Sequence, residues 1–350
     1  MIKGKYSLVI VSLLVFLSAC NQNEDQAESI VKKDDVVQQE DEPVVAEFKA
    51  EESVIYPLTG IATEEQNITQ RPVAVMINNH PKARPQSGLT KADVVYEVLA
   101  EGNITRFLAV FQSEVPDIIG PVRSARDYYI DISKGFHALY ISHGWSPSAK
   151  ERLVSNEVDH INGMLHDGTL FWRADHRNAP HNSYISKDNI LQGAELKQYT
   201  MTEDVIPFDF LTEEEMKEIK GEQVNKFVIK YDKSETWQST YEYNQTEQTY
   251  KRYSGNEDTV DLESGDSVEL TNIFVVQMKH KVIDKEGRRT IDMTSGGKAL
   301  LMQKGMMQEV EWENHDGRIL PVKDGEVVKL VPGRTWVNVV PSLDQYLIQS

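Results

Sequence analysis

Cysteine is nearly absent from this chain of 350 residues, and the single one is Cys20. One cysteine excludes a disulfide-stapled scaffold and any zinc site built from several cysteines. Positive charge is also in deficit, because 37 Lys and Arg stand against 55 Asp and Glu, which gives a formal net charge of −18. This excess of acid argues against a non-specific nucleic-acid binder, which needs a basic face.

The common sequence signatures of nucleotide binding and hydrolysis are missing as well. There is no Walker loop, no G-x-G-x-x-G after a strand, no H-E-x-x-H and no G-x-S-x-G. Standard nucleotide loops and the familiar hydrolase motifs are therefore unsupported. The composition, with 40% hydrophobic and 26% charged residues, is close to that of ordinary globular proteins and unlike that of a multi-span membrane protein.

The first twenty residues read as an export signal with a lipid attachment site. Lys3 and Lys5 precede a short apolar stretch at residues 7–17, followed by the letters LSAC at residues 17–20. The apolar stretch is too short for a permanent membrane helix. It resembles the signal of bacterial lipoproteins, so we expect removal of residues 1–19 and attachment of diacylglycerol to Cys20. The alternative is a buried apolar helix that contains a chance cysteine.

An acidic tether is expected over residues 20–53. Residues 21–53 contain eleven acids and three lysines, a net charge of −8, and one aromatic residue. Such a segment cannot bury enough apolar area to offset its chain entropy. An anionic membrane surface would repel it and hold the folded part away from the lipid, although a plain solvated linker is the simpler interpretation.

The remaining sequence predicts an α+β protein. Residues 54–200 alternate apolar strands with helices and predict an α/β domain with a mixed sheet, for example a strand at 72–78 and a hairpin at 93–111. Residues 201–225 are acidic and form a predicted connector. Residues 226–345 contain short strands punctuated by turns, which predicts a smaller β-rich domain.

The stretch 119–127, with the letters IGPVRSARD, is the first candidate site. If a helix begins near residue 125, Arg123 and Arg126 project from one face beside its N-terminus. Two guanidinium groups beside free backbone N–H groups suit a phosphate, a pyrophosphate or a carboxylate. The alternative is that both arginines pair internally with Glu97, Glu101 or Asp127.

Two further stretches carry polar and aromatic residues. Residues 171–184 (FWRADHRNAPHNSY) place Arg173, Arg177 and His181 in a predicted loop that could hold an anion or a glycan. A metal held by Asp175 with a histidine, or a loop bonded only to itself, is the alternative. In residues 143–146 (HGWS), a nucleophilic pair of His143 and Ser146 is conceivable. His80, after the first strand, is interpreted as a turn residue.

The chain resembles the YerB family of bacterial lipoproteins at five places. These are the lipidation signal at 17–20, RPQSGL at 84–89, ADVVYE at 92–97, GPVRSAR at 120–126 and PGRTW at 332–336. The resemblance spans nearly all of residues 54–340. It implies a Gram-positive source, a lipid-anchored extracytoplasmic location, and an N-terminal α/β domain followed by a separate C-terminal domain.

At the level of topology the N-terminal part is also similar to the LytR-CpsA-Psr phosphotransferases, which move glycopolymer phosphates from polyprenyl pyrophosphate. That similarity implies Asp93 as a metal-binding acid and Arg126 with Asp127 as a pyrophosphate-binding pair. The pattern departs from those enzymes, because Asn78, Asn79 and His80 replace their glycine-rich motif. A resemblance of topology alone does not establish an activity.

Three hypotheses for function follow. We prefer an anchored cell-envelope protein that binds an anionic ligand, a phosphate, pyrophosphate or glycopolymer, through a cleft of Arg123, Arg126, Arg173 and His181. The second is a phosphotransferase in which Asp93 and Asp127 hold Mg²⁺. The third is an interaction module whose arginines form internal ion pairs and whose C-terminal domain docks a protein partner. None of the three involves nucleic acid.

Overall fold

The structure is a computed structural model that describes residues 53–349, with side chains described up to residue 344. The predicted signal peptide, Cys20 and the predicted tether up to residue 52 lie outside the described residues. The α-helices are α1 Asp127–Gly135, α2 Pro147–Val154, α3 Gly163–His166, α4 Lys187–Lys197, α5 Glu213–Lys217 and α6 Leu343–Tyr346. Short 3₁₀ turns span Pro81–Ala83, Leu89–Lys91 and Glu235–Trp237.

The strands of the same residues are β1 Val73–Asn78, β2 Val94–Glu101, β3 Ile104–Phe111, β4 Ile118–Ile119, β5 Leu139–Ser142, β6 His160–Asn162, β7 Phe171–Arg173, β8 Ser183–Ser186, β9 Glu222–Gln223, β10 Lys226–Lys230, β11 Gln238–Asn244, β12 Thr249–Ser254, β13 Glu257–Asp258, β14 Glu269–Leu270, β15 Asn272–Gln277, β16 His280–Val282, β17 Arg289–Ile291, β18 Gly297–Gln303, β19 Met306–His315, β20 Arg318–Lys323, β21 Glu326–Val327, β22 Thr335–Val340 and β23 Leu347–Gln349.

One large mixed sheet organises these strands. Its order is β21-β20-β19-β18-β15-β22-β2-β3-β1-β5-β6, with β9 also paired to β19. Within it β1, β5 and β6 run parallel to one another, whereas β1 and β3 are antiparallel. A second sheet of β13-β12-β11-β10-β23, with β14 on β12, lies in the C-terminal part. The expected fold class, a mixed α/β part followed by a β-rich part, is confirmed.

Both faces of the large sheet are covered. In β1, the side chains of Val73, Val75 and Ile77 join one apolar cluster, and Ala74 and Met76 join the other. This alternation follows from the two-residue period of a strand. Helices α1 and α2 contribute to the second cluster, while α4 and the second sheet contribute to the first. A strand covered on both sides is apolar throughout, as the sequence of β1 is.

Strands from both sides of the predicted connector meet in this sheet. Strand β22 pairs in parallel with β2, from Val94 opposite Thr335 to Val98 opposite Val339. The connector contains α5, whose N-cap Thr212 forms the capping box with Glu215. The domain limits 54–200 and 226–345 stay a prediction, and the two stretches share a continuous hydrogen-bonded sheet.

A buried ion pair joins the two stretches. Arg252 on β12 donates from Nη2 to Oε2 of Glu97 on β2 over 2.8 Å, and their side chains are 0% and 1% exposed. The Glu97 carboxylate also accepts hydrogen bonds from Asn79 Nδ2, Thr105 Oγ1, Ser239 Oγ and Trp336 Nε1. The Arg252 guanidinium lies 4.6 Å from the Trp336 ring centre, which adds a cation–π contact.

We predict that Arg252→Met lowers the free energy of unfolding by about 3–5 kcal/mol, because it leaves the Glu97 carboxylate buried without its cation. Urea denaturation measures the change. Lys134→Met is the matched control, since Lys134 pairs with Glu157 at the surface over 2.9 Å and the expected loss there is about 0–1 kcal/mol. The double variant Glu97→Gln/Arg252→Met should regain part of the loss. A single-variant loss no larger than the control's contradicts the assignment.

Candidate functional site

The carboxyl ends of three parallel strands form one edge of the large sheet. Asn78 ends β1 and is followed by His80, His143 follows β5, and Asn162 ends β6. In open α/β sheets ligands gather at such an edge, because the loops that leave the strands are free to vary there. We call this region the carboxyl edge, and three of the four residues predicted to bind an anion reach it.

An extended segment crosses the carboxyl edge and places Arg123 there. The Arg123 N–H donates to Met76 O, and Arg123 O accepts from the His143 N–H, both over 2.9 Å. Helix α1 begins only at Asp127, with Arg126 as an extended N-cap. The expected shared helix face of Arg123 and Arg126 is therefore wrong. In an extended chain, side chains three residues apart point to opposite sides.

Arg126 is paired inside the fold. Its guanidinium forms an ion pair with Glu101, which also binds Arg106 over 2.7 Å. Arg126 is buried, and so is Arg106. This is the internal pairing that the sequence left open as the alternative, and it leaves Arg126 no free charge for a ligand.

Arg173 reaches the carboxyl edge with its charge already matched. It binds the Asp167 carboxylate through Nε and Nη2, at 2.8 Å for the Nη2 contact, and its Nη2 also lies 2.9 Å from Nε2 of His143. A guanidinium only donates, so His143 Nε2 accepts and the imidazole proton is on Nδ1. That proton points to Ser183 Oγ, 2.7 Å away.

This arrangement overturns the suggested pair of His143 and Ser146. The Ser146 hydroxyl accepts from the Ala149 N–H over 3.2 Å and caps α2. The serine that His143 does contact, Ser183, is buried and receives a hydrogen bond from the ring. An imidazole that donates to a hydroxyl is not placed to remove its proton.

His181 stacks on His80 at the carboxyl edge. Their ring centres are 4.5 Å apart, with 27° between the planes. Asn78 Nδ2 donates to His181 Nδ1 over 2.9 Å, and the Lys82 N–H donates to His80 Nδ1 over 3.1 Å. Each Nδ1 accepts, so each ring carries its proton on Nε2. His80 was predicted as a turn residue, and its side chain accepts a hydrogen bond from the 3₁₀ turn Pro81–Ala83 that follows it.

Burial and neighbouring cations keep both rings neutral. Burial, the His80 ring and the Arg123 charge lower the pKa of His181 to about 4. Burial and the charges of Lys82 and Arg84 lower the pKa of His80. At neutral pH the stack is therefore an uncharged pair of Nε2–H donors surrounded by positive charge.

Four cations surround this stack without a carboxylate partner among the described residues; they are Lys82, Arg84, Arg123 and Arg177. We call them the cationic rim. Arg123 donates from Nη1 to Pro180 O, Arg84 to Asn79 and Thr236 O, and Arg177 to Ala83 O and Pro85 O. All of these acceptors are uncharged.

Arg123 and Arg84 remain charged at neutral pH. Burial and the charges of Arg106 and Arg173 lower the pKa of Arg123 to about 10. Burial and the charge of Arg252 lower the pKa of Arg84 to about 10. A nearby anion would stabilise both guanidinium groups.

Sequence reasoning found Arg123, His181 and Arg177 but missed Lys82 and Arg84. A signal was present for the two missed residues, because both follow the strand end at Asn78 within six residues. Arg177 was named with Arg173 and His181 as a possible anion contact in the loop 171–184, although it was not among the preferred cleft residues.

The two acids expected to hold a metal lie in separate surroundings. The buried Asp93 carboxylate accepts from the backbone N–H groups of Gln112 and Ser113 over 2.6 and 2.8 Å, and burial raises its pKa. Asp127 accepts from Ser148 Oγ over 2.6 Å. The structure gives these two carboxylates no common partner, and within residues 53–349 no group of three or more His, Cys, Asp or Glu side chains could hold a metal ion.

Comparison with known proteins gives matches over both stretches. A family model described as the N-terminal domain of DUF3048, a protein of unknown function, matches residues 58–200, and the corresponding C-terminal domain matches residues 227–337. A Bacillus subtilis (strain 168) protein named as a candidate lipoprotein, YerB, is 49% identical over 288 residues, which are 82% of this chain and 86% of that protein.

A solved structure is similar as well. The crystal structure of the YerB protein from Bacillus subtilis matches with a TM-score of 0.79 and 47% identity, and covers 85% of this chain and 99% of the other. Among the helices of residues 53–349, none combines the length and the apolar character needed to cross a bilayer.

We predict that the imidazole of His181 titrates near pH 4 and that Arg123→Gln raises its pKa, because the substitution removes one of the nearby charges that oppose protonation. Nitrogen-15 NMR of the histidine rings over a pH series measures both values. Lys323→Gln, on the distant strand β20, should leave the titration unchanged. A His181 pKa at the ordinary value of 6.5 would contradict the described surroundings.

Proposed function

This chain belongs to the DUF3048 family, and from that premise we propose that it is a lipid-anchored protein of the cell envelope that binds an anionic ligand at the cationic rim. The observation that carries the proposal is the group of four cations without carboxylate partners in a chain of net charge −18. In such a chain acids are plentiful, so the lack of a partner at this edge favours an external anion.

The anchor is supported by the sequence and by the relative. The letters LSAC at residues 17–20 fit a lipidation signal, and the 49%-identical Bacillus protein is named as a candidate lipoprotein. Each buried methylene adds about 0.8 kcal/mol, and two acyl chains give a stable anchor. The tether at residues 20–53 would then set the distance between the lipid and the ligand site.

Phosphate and pyrophosphate groups fit the donors of the rim. Guanidinium groups donate paired hydrogen bonds to the oxygens of such anions. Arg123 uses Nη1 on Pro180 O, and its Nη2 makes no hydrogen bond within the described residues. The Nε2–H groups of His80 and His181 would add neutral donors beside it. The proposed ligand is accordingly a phosphate-bearing component of the envelope, such as a pyrophosphate lipid or a glycopolymer.

The proposed activity is the binding of an anion, and Arg123 and His181 are the residues expected to contact it most directly. Arg173 contributes at the margin, since Asp167 already matches its charge. Arg126 is left out because Glu101 binds it. The separate surroundings of Asp93 and Asp127 add no support for a phosphotransferase that uses Mg²⁺.

We predict that Cys20→Ala abolishes incorporation of labelled fatty acid into the expressed protein, because the thiol that accepts diacylglycerol is lost. Metabolic labelling followed by detergent partitioning measures the change. Ser18→Ala is the matched control, since it keeps a small residue in the same signal and should leave labelling intact. Continued labelling of the Cys20→Ala protein would rule out this attachment site.

We predict that Arg123→Glu weakens binding of inorganic pyrophosphate and of poly(glycerol phosphate) by about ten- to a hundredfold. The reason is that a hydrogen bond to a charged group contributes about 1.5–3 kcal/mol and 1.4 kcal/mol is a factor of ten. Isothermal titration calorimetry measures both affinities. Lys323→Glu makes the same charge change at an exposed position of β20, which six strands of the sheet separate from β1, and should weaken binding less than twofold. Equal effects of the two substitutions would refute a specific site.

A further inference from the structure

A cleft of about 460 Å³ opens beside the cationic rim. It is lined by Ile118, Trp172, Arg173, Ala174, Asp175, His176, Tyr184 and Glu263. Most of these residues lie on or next to the small sheet of β4, β8 and β7, so strands hold the walls in place. The volume is in the range of small-ligand sites.

Aromatic rings form one wall of this cleft. Trp172 on β7 lies opposite Tyr184 on β8, with ring centres 6.0 Å apart and 27° between the planes. Tyr184 is buried, whereas Trp172 is partly exposed and presents its ring to the cleft. The Tyr184 hydroxyl is buried and has no hydrogen-bond partner within the described residues.

The cleft also contains side chains that accept or donate hydrogen bonds. Asp175 is exposed, and Glu263 accepts from Ser87 Oγ over 2.8 Å, which orients its carboxylate. On the other side Arg173 is held by Asp167 over 2.8 Å. Carboxylates accept from hydroxyl groups, and the guanidinium donates to oxygen. A flat ring between such groups suits a molecule with one apolar face and hydroxyls around its edge.

A hexopyranose has this shape, with C–H groups on one face and hydroxyls around the ring. We propose that the cleft binds one hexopyranose unit, whose C–H face lies on Trp172 while Asp175 and Glu263 accept its hydroxyls. This inference rests on the proposed function and deepens it, because it makes the phosphate-bearing ligand a sugar polymer.

The cleft and the cationic rim are adjacent. Arg173 lines the cleft, and its Nη2 contacts His143 at the carboxyl edge over 2.9 Å. Arg177 lies close enough to Tyr184 and to His181 to act on the pKa of both side chains. A chain that carries its phosphate at the rim can therefore place a sugar in the cleft.

The test uses two oligosaccharides and three variants of the whole protein. The probes are chitotetraose, an N-acetylated amino-sugar chain, and maltotetraose, a plain glucose chain, and saturation-transfer NMR and calorimetry measure their binding. Trp172→Leu keeps an apolar side chain but removes the flat ring, and Trp172→Phe restores a ring. Asp175→Ala removes an acceptor at an exposed position where folding is not at risk. Thermal melting confirms that each variant is folded.

We expect at least one oligosaccharide to bind, with transfer to its ring C–H protons. Trp172→Leu should weaken that binding at least tenfold, Trp172→Phe less than threefold, and Asp175→Ala about three- to tenfold, while the affinity for pyrophosphate stays the same. Binding of one chain only would identify the class of sugar recognised.

Two results would overturn the sugar site. One is the absence of binding by both oligosaccharides, and the other is equal binding by the wild-type protein and Trp172→Leu. If pyrophosphate still binds in either case, the proposed function stands and only the sugar site falls. If an oligosaccharide binds as expected and pyrophosphate does not, the sugar site stands and the anion-binding rim is refuted.

Discussion

The buried pairing of Glu97 with Arg252 is the interaction on which the rest of the structure depends. It ties β2 in the first stretch to β12 in the second, and a lone charge at either position would be strongly destabilising. The same carboxylate orients the Asn79 amide, whose Oδ1 accepts from Arg84 Nε. A buried side chain thus helps, through Asn79, to position a member of the cationic rim.

The electrostatics of the carboxyl edge contrast with those of the whole chain. Several other arginines have carboxylate partners, such as Glu101 for Arg126 and Asp167 for Arg173. At the cationic rim the arginines donate instead to backbone carbonyls and to the Asn79 amide, and the two stacked histidines are neutral. Cations without a carboxylate partner gain from a bound anion, and this is the basis of the proposed ligand site.

Local patterns predicted some local elements well. The apolar runs at residues 93–111 predicted the hairpin that the structure forms from β2 and β3. Contacts between distant segments were harder to predict, and the pairing of Arg126 with Glu101 was only the alternative interpretation. The pairing of Arg126 with Glu101 joins residues 25 positions apart, and the pairing of β22 with β2 joins the two ends of the folded chain. Neither contact leaves a periodic signal, and the extended course through Arg123 is fixed by strands β1 and β5 and not by its own residues.

We propose that an anion binds at the cationic rim beside the histidine stack. A crystal structure of residues 53–350 grown with inorganic pyrophosphate is the most direct test of this binding. We expect pyrophosphate within hydrogen-bonding distance of the Arg123 guanidinium and of the Nε2–H of His181, with the stack preserved. Pyrophosphate bound elsewhere with this edge unoccupied, or an Arg123 guanidinium turned onto a carboxylate of its own chain, would contradict it.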